Sequence, residues 1–252
     1  MTMLYKFTTS AEIARQVSVG IFRFYELTKY IKIEDHVGRS DPHECSISFN
    51  DTECIEHSEK IPTASFNGIE FKCVSMRPDE KYISQYFVFC MSTVMNADVI
   101  GDSTHVVELS ADIFETFELL LCNSTGTKKH KLFSHNQVEY YDIHNHPTPF
   151  GQEIWREVYV KNSDFKSQYE YRAALFVSEH LFEKNRTAST TIARPIFLNN
   201  VRMAFDLEIS MRSGIDPNGW RYIELDISEF SANLTSLPCK IMEIALPSKE
   251  AT

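Results

Sequence analysis

Segments rich in aromatic and β-branched residues, many of them alternating between apolar and polar positions, recur along this chain and most constrain its fold. Such patterns are typical of β-strands, in which successive side chains point to opposite faces of a sheet. They predict strands at residues 4–7, 21–27, 82–92, 104–109, 137–143, 154–160, 168–177, 202–210, 221–227 and 240–246. Asn67 and Gly68 separate two further alternating runs, which predicts a β-hairpin with a two-residue turn.

Two segments predict helices. Residues 9–20 begin with Thr9 as the N-cap, carry Glu12 three residues later and end with a glycine. Residues 110–122 are amphipathic, with Ser110 as the cap. Because strands outnumber helices, we expect an α+β fold made mainly of antiparallel sheet, with a few short helices.

The length and composition predict a folded protein with a packed core, because 43% of the 252 residues are hydrophobic. A polar, turn-prone stretch at 183–190 is the candidate internal boundary. We therefore expect a core over residues 1–185. Residues 186–252 form a β-rich C-terminal extension that is either a separate unit or part of the same domain.

Charge and cysteine usage limit the class of protein. The net charge of -10 argues against charge-driven adhesion to nucleic acid or to anionic membranes. The six cysteines contain no C-x-x-C pair, which argues against a zinc ribbon and favours reduced thiols. No apolar run predicts a signal peptide or a membrane span. The sequence thus predicts a cytoplasmic protein that does not bind membranes.

Several common catalytic motifs are absent from the sequence. Neither a phosphate-binding glycine loop nor a G-x-S-x-G nucleophile motif occurs, which argues against P-loop hydrolases and α/β-hydrolases. Asp142, His144 and His146 alternate, so on a strand they would share one face and could approach a metal ion. The alternative is that these residues belong to an ordinary loop beside a proline.

Glu170 and Arg172 are charged residues inside the strand predicted at 168–177, and at this spacing they point to the same face. One interpretation is an ion pair on an edge strand facing water, and the other is an acid held in a binding cleft. Asp41 and Glu44 lie in another polar segment. It is either a turn in which Asp41 caps backbone donors or one wall of a ligand pocket.

Other motifs carry a resemblance to a known family. The chain has L-Y-K-F at 4–7, G-I-F-R-F at 20–24, S-D-P-H-E at 40–44, C-M-S at 90–92 and F-K-S-Q-Y-E-Y-R at 165–172. These motifs resemble a bacterial family of unknown function that is often encountered among phage-defence genes. Its members carry L-Y-K-[YF], G-x-[IL]-R-F, N-D-P-x-E, C-[FL]-S, V-x-Y and E-[YW]-R, and the V-x-Y motif matches Val138 to Tyr140 of this chain. The similarity covers about the first 180 residues with loose motifs.

The layout of that family is similar to the Arg, Ser-Thr and [EQ]-x-E order of ADP-ribosyltransferases. The resemblance implies an ADP-ribosyltransferase-like core that uses NAD as a co-substrate and needs no metal. Glu170 and Gln168 would then be catalytic. Arg172, two residues after Glu170 on the same strand, is expected to neutralise Glu170 or a neighbouring acid and not to take part in catalysis. The residues expected to bind the cofactor are Arg23, Tyr25, Ser92, Thr93, Asp41 and Glu44, and Ser92 and Thr93 would also orient Glu170.

Three functional hypotheses follow. The first is an NAD-dependent toxin or effector of a phage-defence or toxin-antitoxin system, which modifies RNA, DNA or protein. The second is a non-catalytic binding module of such a system, which recognises an antitoxin or a phage protein. The third is a metal-dependent hydrolase that uses Asp142, His144 and His146.

Overall fold

The computed structural model describes residues 2–32, 47–49, 65–66, 69–70, 74–76, 83–96, 102–122, 132–141, 158–198, 201–227 and 240–243. The strands are β1 Met3–Thr8, β2 Ile21–Glu26, β3 Ile47–Phe49, β4 Ser65–Phe66, β5 Ile69–Glu70, β6 Val74–Met76, β7 Tyr86–Ser92, β8 His105–Ser110, β9 Phe133–Gln137, β10 Glu139–Tyr141, β11 Val160–Asn162, β12 Glu170–Phe176, β13 Thr190–Leu198, β14 Val201–Ile215, β15 Arg221–Asp226 and β16 Lys240–Glu243. The α-helices are α1 Ala11–Ser18, α2 Leu27–Lys32, α3 Asp112–Cys122 and α4 Glu179–Thr187, and Ser163–Gln168 forms a 3₁₀ helix.

Ten of the described strands form one sheet, in which every pairing is antiparallel. The smaller pairs are β3 with β6, β4 with β5, and the parallel pair β10 with β11. The chain therefore has the α+β class and the mainly antiparallel sheet that the sequence predicts. None of the described helices combines the length and apolar character that crossing a membrane would require.

The large sheet forks at β7. One edge of β7 pairs with β12 along its whole length, from Ser92 to Tyr86. On the other edge, β2 pairs near the beginning, with Tyr25 opposite Val88, and β1 pairs at the end, with Tyr5 opposite Ser92. Strand β2 continues into β15, β14 and β13, whereas β1 continues into β8 and β16. We call residues 89–91, where β1 and β2 part, the fork.

The main hydrophobic core lies between one face of the sheet and helices α1 and α3. Six of its aromatic residues contact one another with ring centroids 5.3 to 6.3 Å apart, and they are Phe22, Phe24, Phe89, Phe114, Phe117 and Phe133. Phe22 and Phe24 are alternate residues of β2 and therefore share a face of the sheet, and Phe89 of β7 lies on the same face. A second, smaller cluster on the opposite face includes Val88, Ala174 and Val158.

Helix α1 confirms the predicted element but corrects its cap. The N-cap is Ser10, in extended conformation, and its Oγ accepts a hydrogen bond from the backbone N–H of Ile13. Thr9 is therefore one residue too early. Helix α1 is followed by Gly20, whose φ of 96° is the left-handed value that a glycine adopts without strain.

The antiparallel pairing of Ser65 with Glu70 and of Phe66 with Ile69 leaves two residues between the strands, as the predicted hairpin requires. Residues 133–141 form two short strands, β9 and β10, instead of one strand beginning at 137. In the predicted strand at 154–160, Val160 begins β11, Val158 and Tyr159 precede it outside a strand, and residues 154–157 lie outside the described residues.

The C-terminal part differs from its sequence interpretation in two elements, α4 and β13, and extends the large sheet. Residues 183–187 of the expected boundary belong to helix α4, whose cap Ser178 accepts a hydrogen bond from the N–H of Leu181. Strand β13, which the sequence did not predict, follows it and contains Pro195. Strand β15 pairs with β2, so residues 221–226 lie beside an N-terminal strand.

Candidate functional site

The end of β7 and the beginning of β12 bring two of the predicted site residues together. Ser92, the last residue of β7, is directly opposite Glu170, the first residue of β12. Both side chains are buried. Directly paired residues of an antiparallel sheet point to the same face, so the serine and the glutamate share one side of the sheet.

Glu170 is held by two cations. Arg172 Nε donates a 2.7 Å hydrogen bond to Glu170 Oε1, and Lys161 Nζ donates a 3.1 Å hydrogen bond to Oε2. The exposed fractions are 6% for Glu170, 1% for Arg172 and 4% for Lys161. Arg172 also donates from Nη1 to the carbonyl oxygen of Val158 at 2.7 Å. We call Glu170, Arg172 and Lys161 the Glu170 clamp.

The clamp keeps Glu170 ionised. Burial by itself would raise the pKa of this carboxyl, but the charges of Arg172 and Lys161 outweigh burial and hold the pKa well below its usual range. An ionised carboxylate can accept hydrogen bonds but cannot donate a proton. With two cations and one anion, the clamp carries a formal charge of +1.

This geometry contradicts one sequence interpretation of Glu170 and Arg172, the ion pair on an edge strand facing water. Strand β12 lies between β7 and β9, so it is not an edge strand, and the ion pair is buried instead of facing water. The expectation that Arg172 neutralises Glu170 is confirmed.

Gln168 lies beside the clamp, but it is not part of strand β12, although the sequence predicts a strand from residue 168. It ends the 3₁₀ helix, and Tyr169, with φ 46° and ψ 46°, turns the chain into β12. Gln168 Oε1 accepts a 2.9 Å hydrogen bond from Lys161 Nζ, so Lys161 links Gln168 to Glu170.

The hydroxyls of Ser92 and Thr93 contact backbone oxygens instead of the Glu170 carboxylate that we expected them to orient. Ser92 Oγ donates to the carbonyl of Gln168 at 2.9 Å, and Thr93 Oγ1 donates to the carbonyl of Tyr169 at 3.2 Å. The backbone N–H of Thr93 donates to the same Tyr169 carbonyl at 2.8 Å. These bonds fix the turn before Glu170, so Ser92 and Thr93 position the glutamate through the backbone of the two residues that precede it.

A second group of side chains lies on β2 and β15. It consists of Arg23 and Tyr25 of β2 with Tyr222 and Glu224 of β15, and we call it the Arg23 group. Arg23 Nη2 donates a 2.8 Å hydrogen bond to Glu224 Oε2, and its guanidinium lies 4.4 Å from the centroid of the Tyr222 ring. Tyr25 meets Tyr222 edge to face at 6.1 Å. Arg23 Nε is buried and has no hydrogen-bond partner.

The two groups share a face of the sheet but are separate. Tyr25 is opposite Val88, which in turn is opposite Ala174, so the face of Tyr25 and Arg23 is also that of Glu170. Val88 and Ser92 are four positions apart on β7, or about 13 Å along the strand. Among the described residues, no hydrogen bond or ion pair joins Arg23 to Ser92, Gln168 or Glu170.

Cys90 lies between the two groups. It is directly opposite Arg172, and the negative charge of Glu170 acts on its thiol. Burial raises the pKa of this thiol to about 12, so Cys90 is neutral at physiological pH and is not a thiolate nucleophile.

The remaining predicted site residues, Asp41, Glu44, Asp142, His144 and His146, lie outside the described residues. Within the part of the chain that the structure describes, no group of three or more histidine, cysteine or acidic residues is arranged to hold a metal ion.

Sequence reasoning missed two residues that contact Glu170. Lys161 lies in a short polar segment without a recognisable motif, and it reaches Glu170 only because residues 158–168 fold back over β12. Tyr140 accepts a 2.8 Å hydrogen bond from the backbone N–H of Glu170 through its hydroxyl. Its position in a V-x-Y segment was part of the family resemblance, which is the one signal that could have pointed to it.

Comparison of the chain with models of protein families finds no match, and comparisons with curated proteins and with solved structures find none either.

Proposed function

We propose that this protein is an ADP-ribosyltransferase-like enzyme that takes NAD as its co-substrate. The observation that supports this proposal most is the register of β7 and β12, which sets Ser92 opposite Glu170, with Gln168 linked to Glu170 through Lys161. Arg23 and Tyr25 point to the same face from β2, in the chain order that the sequence resemblance requires.

In the proposed reaction the bond between the ribose and the nicotinamide nitrogen breaks, and its electron pair leaves with nicotinamide. A nucleophilic oxygen or nitrogen of the acceptor then bonds to the same ribose carbon and loses its proton. Positive charge develops on the ribose in the transition state, and an ionised carboxylate can stabilise it. Glu170 is ionised, and Arg23 would bind the pyrophosphate in a bidentate manner.

The proposed reaction requires the Glu170 clamp to open. Both carboxylate oxygens are hydrogen-bonded to cations, and the net positive charge of the clamp would oppose a developing cation on the ribose. Displacement of Lys161 would free Oε2 for the ribose hydroxyl and leave one carboxylate against one guanidinium. Lys161 lies outside β12, on β11, so it can move without breaking the β7–β12 pairing.

The occupied carboxylate favours a second candidate, a non-catalytic binding module. In this alternative the Glu170 clamp is structural and ties residues 158–168 to the sheet, and the protein binds a partner without turning over NAD. The third candidate, a metal-dependent hydrolase, depends on residues outside the described part of the chain.

The biological setting of the proposal rests on the sequence resemblance. It would make the protein a toxin or effector of phage defence or of a toxin-antitoxin system, which acts in the cytoplasm on RNA, DNA or protein. The net charge of -10 favours a protein acceptor over a nucleic acid held by charge alone. An antitoxin or a phage protein would be the regulatory partner.

Nicotinamide release from NAD tests the proposal. Glu170→Gln alone would remove the carboxylate that pairs with two buried cations and could unfold the protein, so the informative comparison is Lys161→Met against Glu170→Gln/Lys161→Met. The double variant keeps the formal +1 charge of the wild-type site and removes the carboxylate. Each assay contains cellular RNA, DNA or protein as the acceptor, and circular dichroism checks folding.

If the proposal is correct, Lys161→Met releases nicotinamide at least as fast as wild type. The double variant should lose activity by about 100-fold. If folded wild type and folded Lys161→Met release none with any acceptor, the transferase is excluded and the binding module remains.

A further inference from the structure

Gly214 is a strand residue at which the backbone does not require glycine. It is the last but one residue of β14, and it is directly opposite Tyr222 of β15. The positive φ values among the described glycines are those of Gly20 and Gly219, so the backbone at position 214 suits any residue. Glycine weakens a strand, because it loses more conformational entropy on folding and has no side chain to pack. Its presence at 214 therefore has a cause other than the backbone.

The ring of Tyr222 occupies the space that a side chain at 214 would fill. A Cβ atom added to Gly214 would overlap Cζ and the hydroxyl oxygen of Tyr222 and would lie 2.8 Å from its Cε1. Carbon atoms that are not bonded to each other prefer a separation of about 3.5 to 4.0 Å. The ring therefore lies over β14, and it can do so because residue 214 has no side chain.

The same ring contacts the guanidinium of Arg23. Arg23 Cζ lies 4.4 Å from the centroid of the Tyr222 ring, within the range of a cation–π interaction. Glu224, directly opposite Arg23, accepts the 2.8 Å hydrogen bond from Nη2. One contact with a ring and one with a carboxylate hold the planar guanidinium in a single orientation. Gly214 is thus connected to Arg23 through Tyr222.

These contacts leave part of Arg23 open to a ligand. Its Nε is buried, but 30% of the side-chain surface remains exposed. Bidentate donation from arginine to a phosphate is directional, because the N–H groups of a guanidinium lie in one plane. An arginine that binds in this way is more effective when neighbouring side chains fix that plane before the ligand arrives.

We infer that Gly214 and Tyr222 are positioning residues for Arg23, with Gly214 providing the space for the Tyr222 ring and the ring fixing the plane of the guanidinium. Both residues act through Arg23 and not on the bond that breaks. The inference rests on the proposed function in one respect, because it takes Arg23 as the residue that binds the pyrophosphate of NAD.

Isothermal titration with ADP-ribose tests the inference, because this probe contains the pyrophosphate but not the nicotinamide bond. Gly214→Ala and Tyr222→Leu should each weaken binding by about tenfold. The double variant should bind no more weakly than Tyr222→Leu, because the atoms nearest to the added methyl group all belong to Tyr222. Independent effects would instead add. Ser210→Ala, four positions earlier on the same face of β14, is the control and should bind like wild type.

A second measurement needs no ligand. The Nε–H of Arg23 is buried beside the Tyr222 ring, so its proton resonance should differ from those of exposed arginines because of the ring current. Gly214→Ala should move this resonance towards the exposed arginines, as Tyr222→Leu does. Arg23→Lys identifies the signal by removing it. A glycine that only stabilised the fold would leave the resonance unchanged in the folded variant.

The kinetic readout follows from the position of Arg23 on a strand remote from Glu170. If the protein turns over NAD, Gly214→Ala should raise KM and leave kcat for nicotinamide release close to the wild-type value.

The inference is overturned by any of three results: no binding of ADP-ribose to folded wild type, equal affinity of wild type and Gly214→Ala, or additive effects in the double variant. Binding that depends on Gly214 without nicotinamide release would retain the inference and exclude the transferase. Nicotinamide release with the same KM for NAD in wild type and Gly214→Ala would retain the transferase and exclude the inference.

Discussion

Arg172 donates a 2.7 Å hydrogen bond from Nε to Glu170 two residues earlier on the same strand, and both side chains are buried. Arg172 is the largest of the described side chains that are almost completely buried. Residues two apart on a strand share a face, so the E-Y-R segment places acid and base side by side inside the sheet. The backbone oxygen of Val158 accepts a second bond from the same guanidinium, which connects the pair to the segment that covers it.

Removal of Arg172 should strongly destabilise the protein. Arg172→Met would leave Glu170 with Lys161 alone and remove the donor from the Val158 carbonyl. Breaking a buried ion pair on one side typically costs about 3 to 5 kcal/mol of unfolding free energy. Urea unfolding measures this change, with Arg186→Met, which breaks an exposed ion pair to Glu183, as the control expected to have little effect. Equal stability of the two variants would show that the clamp is not structural.

The clamp also predicts acid sensitivity. The folded-state pKa of Glu170 is lowered, so its contribution to stability is complete above the unfolded carboxyl pKa of about 4 and is lost as the pH falls below that value. Urea midpoints measured from about pH 6 to about pH 3 should fall more steeply for wild type than for Glu170→Gln/Lys161→Met, which lacks the carboxylate. Parallel curves would mean that Glu170 has an ordinary pKa in the folded protein.

Ser10, and not Thr9, should account for the stability of the first helix. Ser10→Ala removes the acceptor for the N–H of Ile13 and should cost about 0.5 to 2 kcal/mol. Thr9→Ala should have a much smaller effect, because the Thr9 side chain does not cap the helix. Thermal unfolding of the two variants distinguishes the structure from the sequence interpretation, which would reverse their order.

Strand positions and faces could be predicted from the sequence because the side-chain period is local. The predicted strand at 21–27 contains β2, on which Arg23 and Tyr25 share a face, and the predicted strand at 82–92 contains β7. Strand β13 was missed because Pro195 removes a backbone donor. That loss is tolerated because β13 is the terminal strand in the order of the sheet.

The partners of the site residues could not be predicted, because they come from contacts between distant segments. Glu224 reaches Arg23 through the pairing of β15 with β2, 201 residues away in sequence. Lys161 reaches Glu170 through a chain reversal at Tyr169, a left-handed residue for which the sequence contains no glycine or asparagine signal. Local patterns identify which residues share a face, whereas the ion pairs depend on which strands become neighbours.

Tyr169 stores backbone strain immediately before Glu170. Among the described residues it is the one non-glycine with a positive φ, and its side chain is 41% exposed, so little packing compensates for the conformation. Tyr169→Gly should therefore be more stable than Tyr169→Ala by about 1 kcal/mol, because both lose the ring and only glycine adopts the left-handed region freely. Thermal unfolding of the two variants provides the measurement. If the alanine variant is as stable as the glycine variant, the turn is not strained. The hydrogen bonds from Ser92 and Thr93 to the Gln168 and Tyr169 carbonyls would then not be needed to hold a strained turn.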